Sequence, residues 1–243
     1  MKPKTLNLLL LALSLGGCGR HPQAAPAPNA TGYGTAIVLT SGDKQIASVG
    51  NILGDPVVVQ VNDARGNGVT GAPVWCSGSN GASCDPASGI TDSSGQFTTA
   101  VSVGGTAGRY QITASTQDPA SKHVEVKIDE VALGYQQTLG HELSEQYCAR
   151  CHNSESTAAR VSNFDNLTTK PHPFNEGDSL NKMSDSDLTA IISYGGPALS
   201  RSAEMPPYGY TLSKIDIQAL IAYIRIVSDP PYVPGGSVYA RNQ

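Results

Sequence analysis

The chain has little cationic charge, no long hydrophobic run and no internal repeat. Its 16 Lys and Arg are outnumbered by 20 Asp and Glu. The bases form no stripe, which leaves nucleic-acid binding without support. The ten-residue run Leu6–Leu15 is too short to cross a bilayer as a helix. Cys and His number five each, and no two pairs of them have the spacing of a zinc site. Asp63, Asp85 and Asp92 do not fall at the intervals of a calcium loop, so turn chemistry is their better account. The middle of the chain holds no catalytic constellation, and His123 stands alone on an expected edge strand.

What the amino end does contain is ordered. Lys2 and Lys4 precede the run Leu6–Leu15, the pattern of a signal-peptide n-region and h-region. The run closes in Leu15-Gly16-Gly17-Cys18, which resembles a bacterial lipoprotein signal. The resemblance implies cleavage after residue 17, a lipid on Cys18 and a membrane-surface anchor. Residues 18–34 are Pro- and Ala-rich with almost no large side chain, a tether. Extended, the fifteen residues 20–34 would reach about 45 Å. Loss of Lys2 and Lys4 takes the formal charge from −4 to −6.

The most informative stretch is Cys148-Ala149-Arg150-Cys151-His152. Two thiols three apart followed by an imidazole form the attachment site of one c-type haem. Each thiol adds across one vinyl group on the same edge of the macrocycle, and the next residue falls beneath the iron. A thioredoxin-like motif is disfavoured because no βαβ pattern surrounds it. His152 is thus the expected proximal ligand. Candidates for the sixth position are Met205, Met183 and His172. Met205 is favoured because Pro206 and Pro207 hold its loop in extended geometry. A Met/His pair raises the potential relative to a bis-His pair. Helical spacing runs from Gly140 through Leu143 and Tyr147 towards Arg150. Ser184 and Ser213 each precede an Asp at the third helical position, Asp187 and Asp216, and so predict capped helices. Their apolar faces are Leu188, Ile191 and Ile192, then Ile217, Leu220, Ile221 and Ile224. Gly195-Gly196-Pro197 and Asp229-Pro230-Pro231 predict their ends.

On these residues, the stretch from about 135 to 228 resembles a class I cytochrome c domain. The attachment motif, the capped helix, the Met-Pro loop and the final Leu220-Ile221-Ala222-Tyr223-Ile224-Arg225 occur in that family's order. The resemblance implies an all-α fold, His152 and Met205 as axial ligands, and crossing first and last helices with Gly140 near Tyr223. The stretch 160–182 departs from it, being longer and more polar than a compact member needs. No haem-propionate contact stands out. Pro171 and Pro173 are candidates for the carbonyl that orients His152.

Residues 35–130 read as all-β. Apolar runs Ala36–Leu39, Val57–Val61, Pro73–Trp75, Phe97–Val103, Tyr110–Ala114 and Val124–Ile128 alternate with Gly- and Asp-rich breaks, the rhythm of a β-sandwich. Trp75 is expected in its core. Pro56–Asp63, Gly71-Ala72-Pro73-Val74 and Thr91–Gln96 are similar to bacterial Ig-like domains of the invasin type. Cys76 and Cys84 bracket a Gly/Ser loop and can pair in an oxidising compartment. With Cys18, Cys148 and Cys151 committed elsewhere, no thiol is left over.

The expected organisation is a signal peptide (1–17), a lipidated tether (18–34), an Ig-like β-sandwich (35–130), an all-α cytochrome c domain (131–228) and an irregular tail (229–243). The expected function is single-electron transfer in the bacterial cell envelope, facing the periplasm or the cell surface. The partners would be a redox donor and a redox acceptor, with the membrane reached through the lipid. The protein would be an electron carrier and not an enzyme. The segment 131–228 has ten acidic and seven basic side chains, a balance that permits a basic redox partner. The rival expectations are a peroxidase-like or gas-binding haem with a displaceable sixth ligand, and an adhesion or assembly module built on the Ig-like domain.

Overall fold

The computed structural model describes residues 31–234. The expected signal peptide, Cys18, nearly all of the tether and the last nine residues lie outside the described residues.

Nine strands come first: β1 (Ala36–Ser41), β2 (Ile46–Ser48), β3 (Val57–Asn62), β4 (Pro73–Gly78), β5 (Ser83–Asp85), β6 (Ser88–Ile90), β7 (Gln96–Ser102), β8 (Gly108–Gln117) and β9 (His123–Leu133). They form two sheets, ordered β1-β3-β7-β5 and β2-β9-β8-β4-β6. Period-2 alternation makes the layers. Val57, Val59 and Val61 are buried while Val58 and Gln60 are half-buried, and Val59 stands opposite Phe97 across β3 and β7. These valines meet Val74, Cys76, Ile112 and Ile128 of the other sheet in one core. Burying each such side chain contributes about 1.5–3 kcal/mol. The three-residue strands β2, β5 and β6 are too short for their pattern to stand out in sequence.

Trp75 corrects one expectation. Val74 and Cys76 take the inward face of β4, so parity turns Trp75 outward. There it is half-buried and packs against His123, ring centroids 5.8 Å apart. Cys76 and Cys84 form a disulfide with Cα atoms 5.9 Å apart, which staples β4 of one sheet to β5 of the other. Asp63, Asp92 and Asp118 each accept two backbone N–H groups, two and four residues ahead. They shape turns. Among the described residues no group of three or more His, Cys, Asp or Glu is placed to hold a metal ion.

Five helices follow: α1 (Tyr135–Tyr147), α2 (Ala149–His152), α3 (Gly177–Leu180), α4 (Asp185–Tyr194) and α5 (Lys214–Val227). The capping boxes at Ser184 and Ser213 are both formed, each with a reciprocal Asp three residues on. Helix α4 stops where Gly195 adopts φ +81°, a conformation open to glycine at no steric cost. At the crossing of α1 and α5, a Cβ on Gly140 would overlap the Ala219 carbonyl and lie 2.8 Å from Tyr223 Cβ. Among the described residues no helix is long and apolar enough to cross a membrane.

The sandwich and the helices meet without a linker. Strand β9 runs through the expected junction at 130/131 to Leu133, because Val131 and Leu133 pair with Ile46 and Ser48 of β2. Only Gly134 separates it from α1. Val131 and Leu133 lie on the outer face of the sheet and form a small core with Tyr223 and Val227 of α5. The segment after α5, expected to be irregular from residue 229, is tied down at its start. Asp229 bridges to Glu176 and pairs with Lys44 of the sandwich at 2.8 Å.

Candidate haem site

Helix α1 delivers the attachment motif. Its last turn is closed by the Cys148 N–H, which donates to Ser144 O at 2.9 Å. The short α2 then begins, with His152 N–H donating to Cys148 O at 3.0 Å. This turn brings Cys148, Cys151 and His152 to one cavity of about 710 Å³, within the usual size range for a bound cofactor. Leu180, Leu188, Ile192, Leu220 and Ile224 supply apolar wall. Met183, Met205 and His172 line the same cavity, so all three expected candidates for the sixth position reach it.

The tautomer of His152 follows from its bond. Nδ1 lies 2.8 Å from the His172 carbonyl oxygen. A carbonyl only accepts, so Nδ1 carries the proton and Nε2 keeps its lone pair. Burial lowers the imidazole's pKa, against the raising effect of the carbonyl bond. The ring is thus neutral, the state that binds a metal. Phe174 packs against it with centroids 4.9 Å apart. The orienting carbonyl is neither that of Pro171 nor that of Pro173 but the one between them. The His172 side chain is engaged elsewhere, its Nδ1 2.6 Å from Glu176 Oε2.

Burial pushes the Cys148 thiol up to about 12. At neutral pH it is protonated, unlike the activated thiolate of a disulfide oxidoreductase. Cys151 lies beside it, half-buried.

The Met205 loop is held by the end of α4. Gly196 N–H donates to Met205 O at 3.0 Å, Tyr208 N–H to Ile192 O at 2.9 Å and Gly209 N–H to Ser193 O at 2.9 Å. A Cβ on Gly195 would come within 2.7 Å of Met205 O, so glycine there permits the loop's close approach. The Tyr208 hydroxyl donates to Tyr147 O at 2.9 Å, tying this loop to the end of α1, one residue before Cys148. Met183 is fixed differently: its carbonyl accepts from Arg225 Nη2 at 2.6 Å.

The long stretch 160–182 forms a wall of the cavity, through Leu167, Thr169, Lys170, Pro171 and Phe174. Lys170 Nζ donates to Phe164 O at 3.0 Å and Asp165 O at 2.8 Å. Glu204 accepts from the N–H groups of Thr168 and Thr169 at 3.2 and 3.3 Å, which joins this stretch to the Met205 loop and lowers the carboxyl's pKa. Tyr208 and Phe174 had no role assigned from sequence. The available signal was their place beside Pro207 and Pro173.

The site fits a covalently held haem in three respects. Two adjacent thiols open on an apolar cavity, one imidazole nitrogen is fixed and another left free, and thioethers line the same space.

Comparison with known proteins divides the chain at the same place as its structure. No curated protein matches the chain. Among solved structures, invasin, a bacterial integrin-binding protein, is 23% identical over 40% of this chain and 19% of its own, with a TM-score of 0.32. The D00-D0 domain of intimin is 17% identical over 43% of this chain and 51% of its own, TM-score 0.32. A glycosyl hydrolase family 2 member from Bacteroides cellulosilyticus is 20% identical over 42% and 14%, TM-score 0.31. This chain therefore spans only a part of each of them. Residues 41–129 match the family described as bacterial Ig-like domain (group 1). Residues 136–224 match that described as cytochrome C oxidase, cbb3-type, subunit III. The chain is thus similar to bacterial Ig-like domains over residues 41–129 and to a cytochrome c family over residues 136–224.

Proposed function

We propose that the protein is a monohaem c-type cytochrome that transfers single electrons in the bacterial cell envelope, anchored through a lipid on Cys18. Cys148 and Cys151 form the two thioether bonds to the haem, and His152 and Met205 are its axial ligands. Bound there, haem supplies a one-electron iron couple. The chain's own contribution is to hold it. The His172 carbonyl fixes the proton on His152 Nδ1 and so presents Nε2 as the ligand atom. The bonds of the Met205 loop to α4 hold a weak thioether ligand in place. Apolar walls exclude water, which favours the less charged state of the centre. No bond is made or broken in turnover, and electrons pass to donor and acceptor proteins.

The observation that carries this reading is the neutral, carbonyl-oriented His152 beside two thiols at one apolar cavity. The test is the absorption spectrum of the purified chain, oxidised and reduced, before and after denaturation. The expected result is a low-spin six-coordinate haem that stays on the unfolded chain and whose methionine-ligation band disappears in Met205→Ala. If Met183→Ala abolishes the band instead, the sixth ligand is reassigned. A high-spin or ligand-binding haem would move the reading to an enzyme or sensor, and a chain without covalent haem would end it.

A further inference from the structure

Between the sandwich and His152 lies an unbroken path of packed and bonded groups. On the sandwich side, Val131 and Leu133 of β9 bury themselves against Tyr223 and Val227, and Phe174 packs onto the same small core. Phe174 meets Tyr223 edge-on at 6.4 Å between centroids and His152 at 4.9 Å. The backbone follows the same route. Arg109 of β8 donates through Nη2 to the Ser228 carbonyl. The next residue, Asp229, donates its N–H to Asn175 O at 2.8 Å and accepts from Gly177 N–H at 2.9 Å. Gly177 is pressed close to this segment, since a Cβ there would lie 2.9 Å from the Asp229 carbonyl carbon. Residues 173–177 are therefore held between the sandwich-bound segment 228–230 and His152. The carbonyl that orients the imidazole belongs to His172, one residue before that span.

We infer that the Ig-like domain buttresses the haem's proximal wall from behind, with Leu133 and Phe174 as positioning residues for His152. The inference rests on the haem reading above. The physical reason is that an imidazole is oriented only as firmly as the groups that bound it. Here those groups include one carbonyl and one ring. Neither sits within a regular helix, and both are in a loop segment whose outer side packs against the α5–β9 core and the 228–230 segment. Outer-shell partners of a ligating His set its orientation and basicity. Loosening β9 from α5 therefore loosens the ligand, although no sandwich atom touches the cavity.

The test uses the full-length haem-loaded chain. Leu133→Ala trims the junction, and Arg109→Gln removes the bond to Ser228 while leaving both cores intact. Val59→Ala, deep in the sandwich core, is the control for loss of stability alone. Two readouts are taken: amide hydrogen exchange at Gly177 and Asp229, and the paramagnetic NMR shifts of the His152 ring and haem methyls with the reduction potential. The expected result is at least tenfold faster exchange at both amides in Leu133→Ala and Arg109→Gln, with displaced His152 and methyl shifts and a changed potential, none of which Val59→Ala reproduces. Unchanged ring shifts and potential in both variants would overturn the inference and leave the Ig-like domain a spacer. Equal displacement by Val59→Ala would overturn it as well. If the parent chain shows no covalent haem, the spectrum alone reports failure of the underlying reading. In that case, ordinary exchange at Gly177 in Leu133→Ala would also remove the mechanical coupling.

Discussion

Replacing Gly140 by Ala opposes two effects of known size. In the middle of α1 the change adds helix propensity worth about 1 kcal/mol. The helix crossing opposes it with a greater penalty. The new methyl would overlap the Ala219 carbonyl of α5 and lie 2.8 Å from Tyr223 Cβ. Both obstacles are backbone or first side-chain atoms, which cannot swing aside, so the helices must part. Overpacking of this kind costs about 3 kcal/mol at the upper end of its usual range. The net expectation is a loss of about 2 kcal/mol. That lowers Tm by roughly 4–8 °C if sandwich and helices unfold as one body of about 200 residues, and about twice as much if the helical domain unfolds alone. Gly54→Ala is the matched control, because nothing lies within 4 Å of its added methyl. Thermal unfolding followed at the haem Soret band and by far-ultraviolet circular dichroism measures both the loss and the size of the unit. A Gly140→Ala variant as stable as the parent, or more stable, would refute the reasoning, since only the crossing distance makes glycine necessary there.

Other expectations are as direct. Cys148→Ser with Cys151→Ser should leave no haem on the chain after denaturation, read by haem stain on a denaturing gel. Tyr208→Phe removes the bond from the Met205 loop to Tyr147 O and should cost about 1 kcal/mol in denaturant titration, with weakening of the methionine-ligation band. Glu130 is buried in the sandwich, its Oε1 has no hydrogen-bond partner, and burial pushes its pKa up to about 8. Above the ordinary carboxylate pKa the unfolded chain releases this proton while the folded one keeps it, so stability falls as pH rises towards about 8 and levels beyond it. Glu130→Gln should flatten that fall in urea titrations at pH 5, 7 and 8.5, and an unaltered slope would contradict the assignment.

The parts that sequence made legible were those governed by local rules. The alternation Val57–Val61 marks a strand because one face must be buried. The Ser184/Asp187 and Ser213/Asp216 boxes mark helix starts because the first N–H groups need acceptors. The spacing of Cys148, Cys151 and His152 marks residues that one short turn brings to a single cavity. What stayed hidden was non-local. Trp75 faces outward because its neighbours Val74 and Cys76 face inward, and β4's parity depends on pairing with β8. The His172 carbonyl has no side-chain signature, since any residue offers one. Strand β9 extends past residue 130 because the start of β8 and β2, a three-residue strand without its own signal, are both there to pair with it.

The absence of a linker after Leu133 has a kinetic consequence. The eleven residues of β9 span about 36 Å and lead through Gly134 into α1, the helix that ends at the attachment motif. A haem domain on a flexible tether reorients on its own and samples partner faces at the tumbling rate of a small particle. Here the helices pack on the sandwich through Val131, Leu133, Tyr223 and Val227, so in the cytochrome reading the haem reorients together with the sandwich. Each encounter with a donor or acceptor then starts from an orientation that changes slowly. The tumbling of the joined domains, more than local search, then decides how often the haem edge is presented.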